Sequence, residues 1–108
     1  MATSNAVAFS QSEDYVDQLA KESKAAAKIL AVATTEQKNQ ALEKAADHLQ
    51  RRSDELLSAN ALDVESVADA GKTAAFIDRL TLTPERIQAM AQAIRDIAAL
   101  PDPVGRVL

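Results

Sequence analysis

The 108 residues include no cysteine and no tryptophan, and only one Tyr and two Phe. Without a thiol the chain has no disulfide, no thiolate nucleophile and no Cys-ligated metal or cluster. Glycine occurs only at positions 71 and 105. A dinucleotide-binding fingerprint or a P-loop needs several closely spaced glycines so that backbone N–H groups can approach phosphate, and neither can be written with these residues. Basic residues are outnumbered 12 to 16, for a net charge of −4, and Arg51-Arg52 is the one adjacent basic pair. That balance argues against a nucleic-acid or anionic-membrane binder, whose affinity rests on clustered Lys and Arg. No apolar run approaches the ~20 residues that span a bilayer. The first 20 residues hold neither Lys nor Arg, so a secretory or organelle-targeting start is not written there, and a cytoplasmic location is the expectation.

Alanine is the abundant residue, 23 of the apolar 47%. It favours helix but buries little area, so helices made from it leave a thin core that a partner surface would have to complete. The apolar spacing predicts an all-α chain of five helices, at about 13–32, 35–51, 54–70, 74–80 and 84–99. Residues 1–12, small and polar, read as a flexible leader. Val16, Leu19, Ala20, Ala27 and Leu30 mark the first helix. Thr34 with Gln37 fits a capping box ahead of the second, whose stripe is Ala41, Leu42, Ala45, Ala46 and Leu49. Ser53 is placed to cap the third, with Leu56, Leu57, Asn60, Ala61, Val64, Val67 and Ala68 on one side and Gly71 at its end. Thr83 caps the fifth, with Pro84 at its first position and Ile87, Met90, Ala91, Ile94 and Ile97 as its stripe. Pro101 and Pro103 end it, and residues 101–108 read as an extended exit towards a strand that would lie beyond. No segment shows the period-two alternation of an exposed strand.

Candidate sites are weak. His48 beside Asp47 has the chemistry of a general base, but neighbours on a helix do not face each other and no nucleophile is paired with it. Asp54, Glu55, Asp63, Glu65 and Asp69 spread around the third helix and lack the oxygen-rich loop of a cation site, which makes them a solvated acidic face. Arg51-Arg52 lies where the helix dipole favours cations in any case. Asp78-Arg79 reads equally as an ion pair or as a hold on a neighbouring segment. No catalytic, cofactor-binding or metal-ligating residue is assigned.

Four strings carry a resemblance: Lys38-Asn39-Gln40-Ala41-Leu42, Ala59-Asn60-Ala61-Leu62-Asp63, Ile77-Asp78-Arg79-Leu80-Thr81-Leu82-Thr83-Pro84-Glu85-Arg86-Ile87 and Leu100-Pro101-Asp102-Pro103-Val104-Gly105. In order and spacing they resemble the gamma-glutamyl phosphate reductases, also called glutamate-5-semialdehyde dehydrogenases, over residues 16–108. The resemblance implies an NADPH-dependent reduction of L-glutamyl 5-phosphate in proline biosynthesis, by an enzyme of the aldehyde dehydrogenase superfamily acting through a cysteine thioester. It further implies that residues 13–100 are the amino-terminal helical segment of an incomplete α/β cofactor-binding domain in a homo-oligomeric parent. The catalytic cysteine and cofactor strands have no counterpart here, so the chain alone is expected to be inert and to bind no NADPH. Lys72-Thr73 departs from the family pattern, and the leader before Val16 is expected not to match. The partner is then the remainder of the parent enzyme. The alternatives are a self-associating helical scaffold that buries its Ala-rich faces, and a regulatory fragment that competes with the enzyme's own helices.

Overall fold

A computed structural model describes residues 2–107, with side chains from Ser10 onward. Among these residues it contains five helices and no strand: α1 (Ala2–Ala31), α2 (Thr35–Arg51), α3 (Ser53–Asp69), α4 (Ala74–Leu80) and α5 (Pro84–Ala98). The four later helices fall within a residue of the ranges expected from spacing. α1 starts earlier, because residues 2–12, expected as a leader, are helical. No Gly or Pro interrupts the stretch, and a helix once nucleated adds residues at little cost. The exit at 101–108, expected to be extended, turns at Val104 and Gly105, where Gly105 has φ 85°.

The chain divides into two compact units, Thr35–Pro103 and a second comprising Met1–Thr34 with Val104–Leu108. In the first unit α2 packs chiefly on α5, while α3 packs on α4 and more lightly on α2 and α5. The core is as thin as the alanine content predicts: Ala46, Ile87, Ala91 and Ala98 are its buried apolar residues. Ile87 is the one large side chain among them, and its burial contributes about 1.5–3 kcal/mol. The α5 stripe is rotated from the expected one. Ile87, Ala91, Ile94 and Ala98 form an i, i+4, i+7, i+11 ridge, whereas Met90 and Ile97 stand outside it, 46% and 55% exposed. On α2 the ridge is Leu42, Ala46 and Leu49, with Ala41 and Ala45 exposed. Two alanines at the α2–α5 crossing allow close backbone approach, which explains why small residues rather than the larger Met90 fill it.

Helix ends follow local chemistry. Thr83, in an extended conformation, accepts the Arg86 N–H at 3.1 Å with Pro84 beside it, the predicted cap. Gly71 has φ 75°, and the bonds Gly71 N–H to Ala68 O and Lys72 N–H to Val67 O close the Schellman pattern at the end of α3. Thr73 caps α4 by accepting the Phe76 N–H at 3.2 Å, which spacing alone did not single out. Ser53 is not a cap. The cap position is Arg52, with no side-chain cap bond, because the chain passes from α2 to α3 with so little deviation that Ser53 is already in the helix. The Arg52 N–H still reaches His48 O, and Arg52 O accepts from Leu56.

In the second unit, α1 is amphipathic. Val16, Leu19, Ile29 and Leu30 are exposed by 59%, 45%, 70% and 57%. No helix among the described residues is long and apolar enough to cross a membrane.

Candidate functional site

Several polar side chains of residues 35–103 hold helix junctions. Asn60, half-buried on α3, donates through Nδ2 to Leu80 O at 2.9 Å and accepts through Oδ1 from the Leu82 N–H at 2.8 Å. One amide thus satisfies both polarities of the short link between α4 and α5. Arg86, in the first turn of α5, closes the same link from the other side. Its Nη1 donates to Asp78 O and Thr81 O, and its Nη2 to Asp78 Oδ1 at 3.0 Å. These carbonyls stand at the end of α4, Asp78 in its last turn and Thr81 as the residue that caps it, where the helix supplies few or no further donors.

A second junction holds the exit from α5. Lys38 Nζ lies 2.8 Å from Asp102 Oδ2, and Thr35 Oγ1 donates to the same oxygen at 2.9 Å. The side chains of Lys38 and Asp102 are only 21% and 16% exposed, which makes this the most enclosed ion pair of the unit among the described residues. Arg95 ties α5 to α2 through Asp47 at 2.8 Å, Gln50 at 2.9 Å and, more loosely, Glu43 at 3.5 Å. Among the described residues no buried side-chain nitrogen or oxygen lacks a partner.

This accounts for most of the residues weighed from sequence. Asp47 turns to Arg95, not to His48. His48 is exposed on the wall of an open apolar groove of about 620 Å³, with Leu49, Leu56, Ala59 and Ile94 among its other lining residues. Glu55 binds Arg52 at 2.7 Å; this hydrogen bond, then the attraction of the charges, holds the Glu55 carboxyl below its usual range and the Arg52 guanidinium above its own. Asp78 pairs with Arg86 across the link and not with its neighbour Arg79. Among the described residues no three His, Asp or Glu side chains converge as metal ligands. The residues sequence reasoning missed are the junction formers Lys38, Asn60, Arg86, Arg95 and Asp102. A polar amide within an apolar stripe was a readable signal for Asn60, and an acid held between two prolines was one for Asp102.

The four strings that carry the resemblance also meet in pairs. Lys38 of the first holds Asp102 of the fourth, and Asn60 of the second holds Leu80 and Leu82 of the third. The class these observations define is a helical segment whose recognisable residues are structural, joined by side-chain-to-backbone and ionic clamps. No family model matches the chain. Curated proteins do: it is 47% identical over 100 residues to the gamma-glutamyl phosphate reductase of Gluconobacter oxydans (strain 621H), covering 93% of this chain and 23% of the relative. It is 49% identical over 89 residues to that of Rhodopseudomonas palustris (strain TIE-1), and 50% identical over 90 residues to that of Beijerinckia indica subsp. indica. These cover 82% and 83% of this chain, and 21% of each relative. The chain therefore resembles the amino-terminal part of gamma-glutamyl phosphate reductases and spans about a fifth of their length. Residues 16–108 number 93, so the Gluconobacter match over 100 residues also takes in part of the stretch before Val16, correcting the expectation that none of it matches.

Proposed function

We propose that the chain is the amino-terminal helical part of a gamma-glutamyl phosphate reductase, an oxidoreductase that converts L-glutamyl 5-phosphate to L-glutamate 5-semialdehyde with NADPH in the cytoplasmic synthesis of proline. The observation that carries this reading is the 47–50% identity to proteins of that name over 82–93% of the chain. In this reading residues 13–100 are the helical segment of an incomplete cofactor-binding domain, and residues 101–108 lead to its sheet. The Lys38–Asp102 and Thr35–Asp102 bonds set the direction in which the chain leaves α5. The residues present do not fit NADPH by themselves. Gly71 terminates a helix and Gly105 lies in a turn of the tail, so no pair of glycines lines a helix N-terminus that could receive a pyrophosphate. The chain's contribution is therefore support, and no step of the reaction is assigned to its residues.

The test is a replacement. Exchanging the matching fifth of the Gluconobacter enzyme for this chain is expected to give a soluble reductase that oxidises NADPH with glutamyl phosphate, whereas the 108-residue chain alone has no such activity. A folded chimera without turnover would count against the family reading. Turnover by the isolated chain would overturn the supporting role.

A second reading, a self-associating helical module, is favoured by one observation: the large apolar side chains of α1 are exposed from Tyr15 to Leu30, at 66% and 57% at the two ends.

A further inference from the structure

Residues 100–103, Leu-Pro-Asp-Pro, form a strap between the end of α5 and the first turn of α2. Each proline fixes its own φ and keeps the residue before it, here Leu100 and Asp102, out of the helical region. The strap therefore has few conformations to lose when it docks. Apolar burial does little to hold it. Leu100 is 63% exposed, and Pro101 and Pro103 are exposed as well, although all line a cleft of about 300 Å³ that Leu42 and Ile97 share.

Of the four strap residues Asp102 alone is half-buried. Its Oδ2 receives two donors from a single turn of α2, Thr35 Oγ1 at 2.9 Å and Lys38 Nζ at 2.8 Å. An ionised acceptor makes the stronger kind of hydrogen bond, and salt screens an enclosed pair less than an exposed one. The rest of the unit is held by other means. Ala46, Ile87 and Ala91 are buried, while Asn60, Arg86 and Arg95 clamp the other helix junctions. Those clamps join residues outside the strap, so they persist when it lifts.

We propose that the strap is a two-state latch: the Asp102 carboxylate fastens the exit from α5 to the first turn of α2, and its release frees residues 99–103 while α2, α3 and the middle of α5 stay folded. Closed, the latch gives the chain after Pro103 one direction of departure; open, it frees that direction. The latch stands apart from the reductase reading, because every residue in it lies within the unit Thr35–Pro103.

Native-state hydrogen exchange on the full chain in low urea separates the two states. The Ala99 and Leu100 N–H groups, beside the strap, bond to Arg95 O at 3.1 Å and Ile97 O at 3.0 Å, whereas Ala91 is buried in the middle of α5. Local release exposes little surface, so exchange at Ala99 and Leu100 is expected to depend weakly on urea, while exchange at Ala91 rises with it. Lys38→Met, on another helix, should speed exchange at Leu100 about tenfold, and Asp102→Asn should do the same, since each removes a charge-assisted bond. Thr35→Val removes only the hydroxyl bond and serves as the milder variant, with an expected gain of about fivefold. Two results overturn the latch. One is exchange at Ala99 and Leu100 with the urea dependence of Ala91, which makes the opening global; the other is exchange at Leu100 indifferent to all three substitutions.

Discussion

Replacing Asn60 by alanine tests whether the clamp between α3 and the α4–α5 link contributes to stability in a unit with so small a core. The variant removes the 2.9 Å bond to Leu80 O and the 2.8 Å bond from the Leu82 N–H. A protein hydrogen bond contributes about 1 kcal/mol net, and a buried group left unpaired costs about 1–3 kcal/mol. The site is half-buried, so water replaces part of each bond, and a combined loss of about 2 kcal/mol follows. At roughly 4–8 °C per kcal/mol for a domain of this size, the midpoint of thermal unfolding should fall by about 8–16 °C. Urea titration followed by far-ultraviolet circular dichroism measures the loss directly. Asn60→Asp refines the test. It keeps the acceptor for Leu82 but sets a carboxylate oxygen against Leu80 O, where only the protonated acid can donate. The folded-state pKa of this new carboxyl should therefore lie above its unfolded value. Its stabilising bond is present at low pH and is lost as pH rises through the folded pKa, so the gap between Asn60→Asp and the parent should narrow on acidification. An Asn60→Ala loss below about 0.5 kcal/mol, or an Asp variant whose deficit ignores pH, would refute the clamp.

Further outcomes can be measured in the same way. Lys38→Met and Asp102→Asn, each expected to cost about 1–2 kcal/mol in urea unfolding, should couple in a double-mutant cycle, and strict additivity would show that the 2.8 Å pair does not contribute. Ala91→Leu places a large side chain at a position with no exposed surface, on a helix packed chiefly on α2, and should destabilise by about 1–3 kcal/mol through overpacking; a stabilised variant would mean the α2–α5 crossing holds unfilled space. Gly71→Ala meets nothing within 4 Å, so its expected cost of about 1 kcal/mol is purely that of φ 75° for an L residue, and Gly71→Asn should recover part of it.

The clamps explain why the resemblance was easier to read than its cause. Thr83-Pro84-Glu85 and Gly71 announced helix ends because the capping bonds span no more than five residues, and such local geometry is written in local text. Asn60 was legible only as a member of a stripe, since its partners stand 20 and 22 residues away. Lys38 and Asp102 are separated by 64 positions, and neither residue type predicts the other at that distance. The expected α5 stripe was displaced for a related reason. Spacing marks Met90 and Ile97 as apolar, but which apolar ridge faces inward depends on how closely α2 approaches, and that approach is set by the alanines on both helices.

From the sequence alone came the all-α character, four helices nearly to the residue, the thinness of the core and the resemblance to the reductases, because propensity, capping and motif order are properties of short stretches. Tertiary structure decided what those motifs are for: side chains from distant segments meet as clamps, with Ser53 inside a helix, Asp47 turned to Arg95, and residues 2–12 joined to α1. Long-range pairing depends on how helices pack, and packing is settled by the whole unit at once rather than by any one stretch of it.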